Sequence, residues 1–153
     1  MEAVEKAEQW LFKELPDLRR AAGDAIYNVW GHAYSIQAMV RLHKLKPDDA
    51  ERRKLLEDLI RMQFDKLTRY ESVDGGWGYY DFRAGAAKPS SSSISFTTAT
   101  CLVALHEAAT IEGVEVPEKL VDRAVAAINR QRKSDHSYLY GEYLKARPLY
   151  GIN

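Results

Sequence analysis

Cysteine is nearly missing from this chain: one residue, Cys101, in 153. A lone thiol forms no internal disulfide, which excludes a disulfide-stapled fold and fits a reducing compartment. Net charge is missing too, because 22 Lys and Arg balance 22 Asp and Glu. Without a surplus of either sign there is no general field to draw in nucleic acid or an anionic membrane, so neither is expected as a partner. No apolar run is long enough to span a bilayer. Residues 1–15, MEAVEKAEQWLFKEL, are amphipathic and charged throughout where a secretory signal would be apolar. The chain therefore reads as soluble, and nothing in it names a compartment. The alternation of Val, Ile and Thr that marks strands is also absent.

What is present is helical periodicity, in five segments of two kinds. The first kind carries a narrow apolar stripe. It comprises Val4, Ala7, Leu11, Leu15 and Leu18 in one segment, and Leu56, Leu59, Ile60, Gln63, Phe64 and Leu67 in another. A third runs Pro117, Leu120, Val121, Ala124, Ile128 and Gln131, with proline where a first helical turn tolerates it. The second kind, AYSIQAMVRLH (33–43) and SFTTATCLVALHEAA (95–109), has few charges and is apolar over most of its circumference. Such helices are expected to pack on several sides. The order is outer, inner, outer, inner, outer. This predicts an all-α fold, one helical repeat domain over 1–153 with about two and a half repeats.

Internal correspondences support the repeat. VRLH (40–43) matches VALH (103–106), and each outer segment carries a glutamine near its end, Gln9, Gln63 and Gln131. After each comes Asp, two residues and an aromatic: DAIY (24–27), DGGW (74–77) and DHSY (135–138). The last two match further, Tyr79 with Tyr140, Asp81 with Glu142 and Phe82 with Tyr143. A corner recurring at one place argues first for architecture. Gly75 and Gly76 let the chain reverse, Trp77 or Tyr138 covers a helix end, and Gln63 or Gln131 supplies an amide for unpaired backbone groups. Asp74 and Asp135 read as turn or capping residues.

An outer helix ending in Gln, then DGGWGYYDF, then an inner helix SFTTATCLVAL, resembles the prenyltransferase and squalene-cyclase (terpenoid cyclase) repeat family. The resemblance covers nearly the whole chain, although Tyr27 and Tyr138 stand where Trp is expected. It implies an α/α toroid in which inner helices line a cavity and the Gln…GGW element ties neighbours together. Two departures follow. The stretch SSISFTTAT (92–100) contains no carboxylate where such cyclases carry a DxDD-type acid, and the prenyltransferase zinc motif has no recognisable counterpart. The segments supply two inner and three outer helices, and the chain stops at RPLYGIN where the alternation asks for a third inner one. An incomplete ring is expected, part of a larger toroid or a small open member, partnered by the rest of a longer chain or by a second copy.

The remaining chemistry is sparse. His43 and His106 occupy matching positions but sit 63 residues apart at helix ends, where imidazolium is electrostatically favoured. No tight ligand spacing points to a metal, and no cofactor is expected. Cys101 reads as a small buried hydrophobe. His32, in YNVWGHAY (27–34), lies among aromatics at the start of an inner helix, suited to packing, a corner hydrogen bond or proton transfer. The ligand-facing rim is expected at His32, Tyr34, Tyr79, Tyr80, Asp81 and Arg83. Its ligand would be hydrophobic, or a carbohydrate met by carboxylates, arginine and aromatic platforms. The resulting reading is a noncatalytic or incomplete segment that binds a partner or hydrophobic ligand on its inner-helix face. The alternative is a terpenoid- or polysaccharide-processing enzyme completed by other residues or chains.

Overall fold

A computed structural model describes residues 2–17, 25–26, 29–79, 82–83 and 93–141, with backbone alone for 25–26 and 82–83. Among them are five α-helices: α1 (Glu2–Glu14), α2 (Val29–Leu45), α3 (Ala50–Tyr70), α4 (Ser95–Ala108) and α5 (Glu118–Gln131). A 3-10 turn, Leu15–Asp17, follows α1. The fold is all-α, as the periodicity predicts. Strand-like structure among the described residues is confined to a two-residue antiparallel pair, Ala25 opposite Arg83 and Ile26 opposite Phe82, and two isolated antiparallel bridges, Ile94 with Gly141 and Arg132 with Tyr138. These are too short to leave an alternating pattern in the sequence.

The helices fall into two parallel sets. Glu8 meets Arg52, and further along both helices Lys66 donates to the Leu15 and Pro16 carbonyls, so α1 and α3 run in the same direction. Arg61 donates to Gly113 ahead of α5, and Arg130 donates to Asp74 beyond α3, so α5 shares that direction. Likewise Trp30 packs on Phe96 and Lys44 bonds Thr110, which makes α2 and α4 parallel. The short connection 46–49 reverses the chain between α2 and α3, where Asp49 caps α3 by accepting from the Arg52 backbone N–H at 3.0 Å. Helix α2 packs on both α3 and α4, and α4 packs on α2 and α5.

The stripe expected on α3 is buried throughout, from Leu56 to Leu67. With Ile36, Met39, Leu105 and Ala108 it forms the core, closed at the far end by Ile111 and Val114. The first helix corrects the sequence reading. Val4 and Ala7 are exposed, and the buried side is Glu8 with Leu15, flanked by Leu11 and Phe12. The reason is an ion pair: Arg52 Nε lies 2.5 Å from Glu8 Oε1, both side chains almost wholly buried. A charged pair that is mutually neutralised can occupy a position that apolar counting leaves to solvent. Gln9 is exposed, whereas Gln63 and Gln131 are buried.

Helix α4 corrects a second expectation, that it is enclosed on several sides. Phe96, Ala99, Val103 and His106 are exposed along one side of it. With α2 and α5 as its packed neighbours, this side has no helix over it among the described residues.

Candidate functional site

The corner after α3 is a lock rather than an open loop. Ser72 N–H donates to Gly76 O at 2.8 Å and Gly75 N–H to Ser72 O at 2.9 Å, closing a tight reversal. Gly75 (φ +96°) and Gly76 (φ +70°) both occupy the left-handed region that side chains resist. Space is a further constraint: a Cβ on Gly75 would stand 2.4 Å from the Arg123 carbonyl oxygen, and one on Gly76 2.7 Å from Thr98 Oγ1. Arg123 in turn pairs with the buried Glu71, Nε to Oε1 at 2.7 Å. Trp77 is fully buried and its indole N–H donates to the Leu67 carbonyl at 2.8 Å. That carbonyl belongs to the last turn of α3, where backbone oxygens lack helical partners. The Trp77 backbone N–H donates to Thr98 Oγ1 at 2.9 Å, and Ile94 N–H to Trp77 O at 2.9 Å, which fixes the start of α4.

The turn after α5 closes in the same way 61 residues later. Lys133 N–H donates to Ser137 O at 2.8 Å and His136 N–H to Lys133 O at 3.0 Å. His136, at the place of Gly75, has φ +66°. Asp135 accepts from both the backbone N–H and the hydroxyl of Ser137, and these bonds hold its carboxyl below the ordinary range. Tyr138 departs from the expected role: it is exposed rather than covering a helix end.

Gln63 and Gln131 do link elements, Gln63 through a side chain and Gln131 through a hydroxyl together with, at 3.4 Å, the backbone carbonyl of Ser93. The His32 Nδ1–H donates to Gln63 Oε1 at 2.8 Å, tying α3 to the first turn of α2. Gln131 donates Nε2–H to Ser93 Oγ at 2.8 Å, tying α5 to the residues before α4. His32 is buried and stacks on Tyr70, centroids 5.9 Å apart and planes within 10°. It belongs to the interior rather than to an exposed rim.

The open feature is an aromatic cluster over the N-terminal ends of α2 and α4. Trp30 stacks with Tyr34 at 5.8 Å and packs on Phe96 at 5.7 Å. Tyr79 faces Trp30 at 6.5 Å and Phe96 at 6.0 Å, while Tyr140 meets Phe96 edge-on at 5.4 Å. The Tyr79 and Tyr140 hydroxyls hydrogen-bond to each other. Tyr34 (55%), Phe96 (42%) and Tyr140 (44%) remain exposed. Rings arranged edge and face in this way present apolar area with hydroxyls at its margin.

Set beside known protein families, curated proteins and solved structures, the chain matches none of them.

Of the residues expected at a ligand rim, the structure brings Tyr34 and Tyr79 together. Arg83 is described only as backbone in the short antiparallel pair, and Tyr80 and Asp81 lie outside the described residues. So do Ser90–Ser92, Glu142, Tyr143 and the ends of the DAIY corner, Asp24 and Tyr27. The sequence reading missed Trp30, Phe96 and Tyr140 as members. A signal existed for two of them: Trp30 stands in YNVWGHAY, and Tyr140 matches Tyr79 in the aligned corners. The histidines do not converge: His43 Nε2 sits 3.2 Å from Glu57 Oε1 on α3, whereas His106 is exposed on α4. Among the described residues no group of three His, Cys, Asp or Glu side chains is placed to hold a metal ion. Cys101 is buried and burial pushes its thiol pKa far up, which suits a packing role.

Proposed function

We propose that this chain is a noncatalytic segment of an α/α-toroid-like array whose inner-helix face binds a hydrophobic ligand or partner. Helices α1, α3 and α5 form the outer set and α2 and α4 the inner set of an incomplete ring. Four features support that assignment. The two sets are each parallel; α2 lies against both α3 and α4; the 72–76 turn recurs at 133–137; and a glutamine of each later outer helix reaches the start of the inner helix before it. Those features agree with the resemblance to the prenyltransferase and squalene-cyclase repeats.

The observation that carries the binding role is the exposed ring cluster around Trp30, Tyr34 and Phe96. Exposed aromatic area gathered at one place is the kind of surface that function, rather than solubility, retains. The test is titration of the purified chain with an isoprenoid alcohol, and separate incubation with three substrates, an isoprenoid diphosphate, squalene and an acidic polysaccharide. The reading predicts saturable binding of an isoprenoid alcohol, weakened about tenfold by Tyr34→Ala, and no product. Turnover of any of the three substrates by this chain alone overturns it.

A further inference from the structure

The exposed side of α4 continues into α5 as an apolar groove. Its upper part, about 550 Å³, lies between the C-terminal half of α4 and the start of α5, lined by Leu102, His106, Val121 and Val125. Its lower part, about 430 Å³, lies beside Phe96, Ala99, Ile128 and Tyr138. Laying VALH (103–106) over VRLH (40–43) shows what the groove lacks. Phe96, Ala99, Val103 and His106 then stand where α2 has Ala33, Ile36, Val40 and His43. On α2 the first three are buried and the histidine is half-buried, whereas all four α4 residues are exposed. This side of α4 is therefore open at positions whose counterparts on α2, a helix pair earlier, are enclosed.

Charge indicates what covers it. At the start of α5 lie Glu112, Glu115, Glu118 and Asp122, all exposed, against Lys119. Arg123 nearby is already paired with Glu71. Beyond the other end lie Arg130, Arg132 and Lys133, against Asp74 and Asp135, with Arg132 on His136 Nδ1 at 2.6 Å and Lys133 loosely paired with Asp135 at 3.9 Å. The two ends are separated by the length of α5, about 20 Å. An antiparallel pairing of two such grooves sets the acidic end of each against the basic end of the other, a self-complementary arrangement that two-fold symmetry satisfies.

We infer that the α4–α5 groove is the contact by which two copies of this chain form a two-fold dimer. Helix α4 of one copy packs antiparallel to α4 of the other, with Val103 and Val125 near the centre of the buried patch and the charged ends crossed. This contact meets the ring cluster at Phe96 but is centred on Val103, about two helical turns further along α4, so Val103→Glu probes the contact and Tyr34→Ala the cluster.

Sedimentation equilibrium over a range of protein concentrations tests the contact. The unsubstituted chain is expected to pass from monomer to twice the monomer mass. Val103→Glu puts a charge in the centre and is expected to raise the dimer dissociation constant about a hundredfold. Val103 is 48% exposed in the chain, so this variant keeps its fold, verified by an unchanged far-ultraviolet spectrum. Glu118→Lys with Asp122→Lys is expected to weaken the dimer about tenfold, and adding Arg132→Glu with Lys133→Glu to restore it. Tyr34→Ala leaves the mass unchanged. A monomer at every concentration, or a dimer indifferent to Val103→Glu, overturns the inference.

Discussion

The indole N–H of Trp77 donates to the carbonyl oxygen of Leu67 at 2.8 Å, so a ring from the corner completes the last turn of the helix before it. One side chain thus fills core volume and satisfies a helix-end acceptor at once. Trp77→Phe keeps an aromatic ring but leaves the carbonyl unpaired and a gap beside it. A loss of about 2–4 kcal/mol in unfolding free energy is expected, read from urea denaturation. A loss below about 0.5 kcal/mol would show that the corner does not hold α3.

Gly75 and Gly113 both have positive φ but differ in surroundings. A Cβ on Gly75 meets the Arg123 carbonyl at 2.4 Å, whereas one on Gly113 meets nothing within 4 Å. Gly113→Ala is expected to cost about 1 kcal/mol, the backbone term alone. Gly75→Ala is expected to cost about 3 kcal/mol or more, since α5 must also shift. Equal costs would mean that the corner is not packed against α5.

His136 carries the turn after α5 in a conformation, φ +66°, that glycine adopts freely. His136→Gly is expected to stabilise the chain by about 0.5–1 kcal/mol, even though the side chain's contact with Arg132 is lost. A shift of the thermal midpoint downward would contradict the equivalence of the two turns.

Cys101 gives a pH test. Burial holds the native thiol neutral, while the unfolded thiol ionises near its ordinary value of 9.0. Above that pH the unfolded state has lost a proton that the native state keeps, so stability falls as pH rises. The slope contributed by this group approaches about 1.4 kcal/mol per pH unit. Urea midpoints of the unsubstituted chain and of Cys101→Ala, compared at pH 8 and 10, are expected to diverge accordingly. The native thiol should also resist disulfide-exchange reagents at neutral pH and react once urea unfolds the chain.

Local signals made much of this architecture legible. Six residues of α3, from Leu56 to Leu67, repeat at helical spacing and all six are buried. The glycines of DGGW marked a turn, and the turn is there because only glycine suits both its φ values and its contacts. Long-range pairings were not legible. The Glu8–Arg52 pair turns α1 away from the side its apolar residues suggest. His32 is buried because Gln63 and Tyr70 receive it, and neither lies near it in sequence. The ring cluster draws on residues 30, 34, 79, 96 and 140, which come together only once the helices have packed.

The central claim is that this ring cluster is a binding face. The most direct measurement is a titration of the isotope-labelled chain with an isoprenoid alcohol, followed by amide and indole chemical shifts. Saturable shifts are predicted at Trp30, Tyr34, Tyr79, Phe96 and Tyr140, with the buried Trp77 indole unmoved. Shifts that gather elsewhere, or none at saturating ligand, would contradict the account.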